Sequence, residues 1–177
     1  MSLSLRRRSR GVSLIEVLIS ILLMSLSLLG LSKLMGVSYA FSKNAQTTMI
    51  ANGIVINLVE RARVNLLGFD NGQYKLGEAE DVEVGSRPTD FTVGSSAAYV
   101  ALVDKAKIKQ LTAISLPGGT LAVNTDVAGY RRQMEVWVYW NASDSVMASY
   151  LTGLNGGTCP AAKLRRATTC MYFKEFL

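Results

Sequence analysis

The chain contains no histidine, 2 cysteines and 3 prolines among its 177 residues. Without histidine it can build no Ser-His-Asp or Cys-His nucleophile and no His-ligated zinc or haem site. Two cysteines are too few for a Cys₄ zinc or iron–sulfur centre. Serine–lysine and paired-carboxylate chemistry stay open by counting, but nothing in the sequence supports them, so the chain does not read as an enzyme and no cofactor is expected. Charged residues make up only 18% of the chain, and the net charge of +6 is unevenly placed. Arg6, Arg7, Arg8 and Arg10 all precede residue 12, and the rest of the chain carries 15 basic and 13 acidic side chains. The excess therefore belongs to the N-terminal segment. Lys105, Lys107 and Lys109 read as a solvated face, and no nucleic-acid partner is expected.

What is abundant is apolar surface, gathered near the N-terminus. Residues 12–31, VSLIEVLISILLMSLSLLGL, hold a single ionisable group, Glu16. A helix of about twenty residues spans about 30 Å, enough to cross a hydrocarbon core. The preceding arginines place its N-terminus on the cytoplasmic side. An ordinary signal peptide, cut after Ser38-Tyr39-Ala40, is one reading of this stretch. The apolar run is long for that, and it carries a glutamate near its start. A carboxylate inside a membrane segment is costly, which marks Glu16 as functional by default; snorkelling to the membrane surface is the bland alternative.

Arg10-Gly11-Val12-Ser13-Leu14-Ile15-Glu16-Val17 resembles the class III leader junction of type IV pilins and type II secretion pseudopilins. The resemblance implies cleavage by a prepilin peptidase after Gly11, N-methylation of the new N-terminal Val12, and Glu16 as the fifth residue of the mature chain. Val12 departs from the family, in which phenylalanine or methionine is commoner. The physical logic agrees, because a buried ionised carboxylate needs a positive partner. Cleavage creates one in the α-amino group of Val12, and the family pairs this glutamate with the N-terminal amine of a neighbouring subunit.

Apolar periodicity continues beyond Ser32 through Leu34, Val37, Phe41, Ala45, Met49, Val55, Leu58, Val59 and Ala62, and no proline precedes residue 88. One helix over residues 12–65 follows, about 80 Å long, with residues 12–31 in the membrane and its second half on a small head. Gly30, Gly36 and Gly53 inside it read equally as close-packing points or as a segment able to unwind.

Residues 66–177 form the head. Asp70-Asn71-Gly72 signals a turn, and Glu78, Glu80, Asp81 and Glu83 lead into a surface loop without calcium-loop spacing. A second helix is expected over about 97–111, with Tyr99, Leu102, Val103, Ala106 and Leu111 sharing one face. Strands are expected near 120–125, 130–141, 146–151 and 167–176, forming an antiparallel sheet. In 130–141, Met134, Val136, Val138 and Trp140 alternate with Gln133, Glu135, Trp137 and Tyr139. Cys159 and Cys170 read as a disulfide, since this part of the chain is expected outside the cytoplasm.

The fold expected is thus α+β, a type IV pilin fold with residues 1–11 as a cleaved leader. Glu-Arg-Ala-Arg-Val-Asn at 60–65, Leu-Pro-Gly-Gly at 116–119, the Val-Trp-Val-Tyr-Trp strand and the late cysteine pair look most like PilV-type minor pilins. That likeness implies a structural subunit that helps initiate pilus assembly and supports adhesion and twitching motility. Its implied partners are the prepilin peptidase, other minor and major pilins, the inner membrane and a tip adhesin. A minor pseudopilin and a membrane-anchored periplasmic binding protein are the rival readings.

Overall fold

The computed structural model describes residues 13–85, 89, 92–141, 159 and 168–177. In chain order the elements are α1 (Leu14–Val64), α2 (Leu66–Asp70), α3 (Val93–Ser115), β1 (Thr120–Ala128), β2 (Arg131–Asn141) and β3 (Thr168–Phe176). The chain divides into two compact units, 1–43 and 44–177, and α1 contributes to both.

α1 runs unbroken for 51 residues because nothing in it stops a helix. It lacks proline, it is rich in leucine, and Arg61 and Arg63 in its last turn complement the helix dipole. In the first unit three serine hydroxyls are satisfied within the helix. Ser20 donates to the Glu16 carbonyl at 2.7 Å, Ser25 to Leu22 and Ser27 to Leu23, each at 2.8 Å. An apolar solvent therefore finds no orphan hydroxyl among these three.

In the second unit, Ala51, Ile54, Val55, Leu58, Val59 and Ala62 of α1 are buried. They form one core with Leu121 and Val123 of β1 and with Met134, Val136, Val138 and Trp140 of β2. This corrects half of the expected stripe. Val55, Leu58, Val59 and Ala62 are inside, whereas Leu34, Val37, Phe41, Ala45 and Met49 are exposed. Apolar spacing alone could not separate a face turned to the chain's own core from one left open, and the helix carries both.

The sheet has three strands in the order β1-β2-β3, antiparallel throughout. Its alternation is the one expected: Met134, Val136, Val138 and Trp140 face the core. On the other face Trp137 stands opposite Ala122 and Tyr172. The helix half packed on this small sheet gives an α+β unit consistent with a type IV pilin fold. The strand expected at 146–151 lies outside the described residues.

Two further corrections concern residues 66–115. The expected surface loop contains α2 and an isolated antiparallel bridge between Leu76 and Val123, and it buries Phe69, Tyr74 and Leu76. The acidic run that follows is tied to α3: Lys109 ion-pairs Asp81 at 3.3 Å and bonds the Glu80 carbonyl, while Lys105 reaches the Lys75 carbonyl. α3 starts earlier than expected, capped by Thr92, whose hydroxyl accepts from the Ser95 N–H at 3.3 Å. Its buried residues are Ala97, Ala101, Asp104, Ile108 and Thr112, not the face through Tyr99, Leu102 and Leu111. That spacing is helical, but two of its members are polar, so apolar periodicity does not reveal it.

Candidate functional site

The candidate residues named from the sequence fall in separate places. Gly11 and Val12 lie outside the described residues. Glu16 is in the first turn of α1, three residues after Ser13, whose carbonyl accepts from the Glu16 N–H at 3.0 Å. There the helix dipole favours a carboxylate. Ser13-Leu14-Ile15-Glu16 also has capping-box spacing, a second and purely local use for the residue. Glu16 is exposed, and it has no ion-pair partner among the described residues.

Around Glu16 every large apolar side chain from Leu14 to Phe41 is 47–78% exposed. The most apolar window of α1 has a mean hydropathy of 2.4 and is unburied within the chain. At Gly30 and Gly36 an added Cβ would meet nothing within 4 Å. This helix half is therefore an apolar rod with a single carboxylate at its start and no cover of its own. It suits a membrane or a bundle of similar helices.

In the head, Cys159 and Cys170 are joined in a disulfide. The bridge packs with Tyr139, Ala122, Trp137 and Tyr172 on the sheet face away from the main core. Burial, with a smaller contribution from Glu78, pushes the Tyr139 phenol up to about 12. Burial and the 2.8 Å hydrogen bond to Glu135 push Tyr172 up to about 12 as well.

A polar cluster escaped sequence reasoning altogether. Asp104 on α3 receives the Arg61 guanidinium at 2.8 Å on one oxygen and the Tyr74 hydroxyl at 2.8 Å on the other. Asn65 adds a bond to the Ala97 carbonyl at 2.8 Å, and its side-chain oxygen caps α2 by accepting from the Gly68 N–H. Burial raises the Tyr74 pKa far above that of an ordinary phenol. The cluster locks the end of α1, the 65–76 segment and α3 together, and every member has a partner. Its chemistry is that of a structural clasp. The clue available in sequence was the helical spacing of Asp104 with Ala97, Ala101, Ile108 and Thr112.

Neither the curated proteins nor the solved structures compared with the chain gave a significant match. Residues 6–32 match the family model described as the prokaryotic N-terminal methylation motif. The matched stretch takes in the arginines, the Gly11–Val12 junction, Glu16 and the apolar run. The chain thus carries a prepilin-type signal, which implies processing by a prepilin peptidase and supports a pilin- or pseudopilin-like subunit anchored through its N-terminal helix.

Proposed function

We propose that the protein is a minor pilin. In this reading it is a structural subunit, not an enzyme, which takes part in initiating type IV pilus assembly and in pilus-dependent adhesion and twitching motility. The prepilin peptidase cuts between Gly11 and Val12 on the cytoplasmic side of the inner membrane, and Val12 is methylated. The helix then leaves the membrane for a filament of other minor and major pilins, and the head meets neighbouring heads or a tip adhesin.

The observation that carries the reading is the uncovered rod of residues 14–41 behind a methylation motif, with its one carboxylate in the first turn. Apolar exposure also continues past the anchor, through Met49 and Ile56 on the face of α1 turned away from its own core. A simple lipid anchor has no need of that second stretch, whereas a helix bundled with other helices does. Against a signal peptide cut after Ala40 stands the unbroken helix across Ala40 and Phe41. The minor-pilin role and the PilV-type likeness rest on residues 60–65, which close the long helix, and on features of the head. A type II secretion pseudopilin shares the N-terminal features and is the second reading.

Glu16 provides the test. Glu16→Ala removes charge and capping oxygen together, while Glu16→Gln keeps a capping oxygen and removes only the charge. Both variants are expected to insert in the membrane normally and to fall at least about tenfold in sheared filaments, a loss of roughly 1.4 kcal/mol or more. Normal recruitment of the Gln variant would reduce Glu16 to a helix cap.

A further inference from the structure

The lysines at 105, 107 and 109 do not form one face. Lys105 and Lys109 stand one helical turn apart on α3 and are half-buried, whereas Lys107 between them is exposed. Both half-buried ammonium groups bond main-chain carbonyls of the 75–81 segment. Lys105 Nζ donates to the Lys75 carbonyl at 3.2 Å, and Lys109 Nζ to the Glu80 carbonyl. Lys109 also ion-pairs Asp81 at 3.3 Å, but the Asp81 side chain is 97% exposed, and a pair so open to water is worth little. The carbonyls therefore carry the attachment. Glu80 folds its own side chain back on the segment, its Oε2 accepting from the Gly77 N–H at 2.9 Å.

What the segment covers is an edge of the sheet. β1 is an outer strand, paired with β2 along one side. On its other side Leu76 and Val123 form an isolated antiparallel bridge. The Leu76 N–H donates to the Val123 carbonyl at 2.9 Å, and the Val123 N–H to the Leu76 carbonyl at 2.8 Å. The Leu76 side chain is buried in the main core, while Lys75 and Gly77 on either side of it are exposed. Among the described residues this is a single rung where a full strand would add several. An open strand edge is a template for pairing with another chain, and covering it with a loop is one protection. Leu76 fixes the rung from the core side, and the two lysines hold the loop from the α3 side.

We infer that residues 75–81 are a guard over the β1 edge, latched to α3 by Lys105 and Lys109, whose release leaves the N–H and C=O of Val123 as an unpaired strand edge. The inference does not depend on how the N-terminus is processed.

It is tested with the full-length protein in detergent by hydrogen exchange resolved at single amides. Lys105→Met with Lys109→Met keeps the apolar stems and removes both donors. Exchange at the Leu76 and Val123 amides is expected to rise at least about fivefold, while Val136 and Val138 in β2 stay within about twofold of the parent. Lys107→Met and Asp81→Asn should each leave all of these amides unchanged. Unchanged exchange at Leu76 and Val123 in the double variant, or an equal rise at Val136 and Val138, would overturn the inference. So would the same rise from Lys107→Met or from Asp81→Asn alone.

Discussion

The two halves of α1 make opposite use of the same kind of side chain. Leu58 is 1% exposed and held between helix and sheet, whereas Leu26, in the same helix, is 58% exposed. Burying a leucine is worth roughly 2 kcal/mol. The second half has gained that stabilisation within the chain, and the first half has not. An apolar helix without cover is stable only in an apolar solvent or against other helices. Folding information and assembly information thus occupy successive stretches of one element, and composition alone does not tell them apart.

The sharpest way to break this contrast is to truncate one leucine in each half. Leu58→Ala is expected to cost about 2–5 kcal/mol of head stability and Leu26→Ala under about 0.5 kcal/mol, measured by chemical denaturation of the full chain in detergent. Equal losses would mean that the first half is packed after all. Next in size is the staple on the outer sheet face. Replacing both Cys159 and Cys170 by serine should cost about 2–3 kcal/mol by the same measurement and leave membrane insertion of the helix untouched.

The clasp at the end of α1 comes third. Asp104→Ala leaves the Arg61 guanidinium and the buried Tyr74 hydroxyl without their shared acceptor, and should lower head stability by about 2 kcal/mol. Tyr74→Phe should cost less, since it removes the hydroxyl and keeps the ring. A loss for Tyr74→Phe as large as for Asp104→Ala would show that the ion pair is idle. A pH effect tests the outer sheet face without a substitution. Tyr139 and Tyr172 ionise near 12 when folded, against about 10 for a free phenol. The unfolded chain therefore loses these protons first. Stability from this source is intact below pH 10 and falls between pH 10 and 12, which denaturation midpoints at pH 8 and pH 11 would reveal. An unchanged midpoint would show these phenols to be open to water.

Much of this was legible from residues alone, for reasons that differ by region. The apolar helix was readable because twenty residues with one charge leave few physical options, and the methylation motif over residues 6–32 because glycine, apolar run and glutamate stand at fixed offsets. β2 was readable because Met134, Val136, Val138 and Trp140 alternate with more polar neighbours, the period a half-buried strand demands. The 66–92 segment was not, because Phe69, Tyr74 and Leu76 are buried one at a time through tertiary contacts that leave no periodic trace. The inner face of α3 hid for a related reason: its central residue is an aspartate whose partners, Arg61 and Tyr74, are 43 and 30 residues away. A polar residue on a helix face reads as exposed until its distant partners are known.

The central claim is that residues 14–41 form an assembly helix released by prepilin processing. N-terminal mass spectrometry of the protein from cells with and without the prepilin peptidase tests it most directly. The account predicts a chain beginning at Val12, carrying one added methyl group, and only where the peptidase is present. A chain that begins at Met1 or at Phe41 in both strains would contradict it.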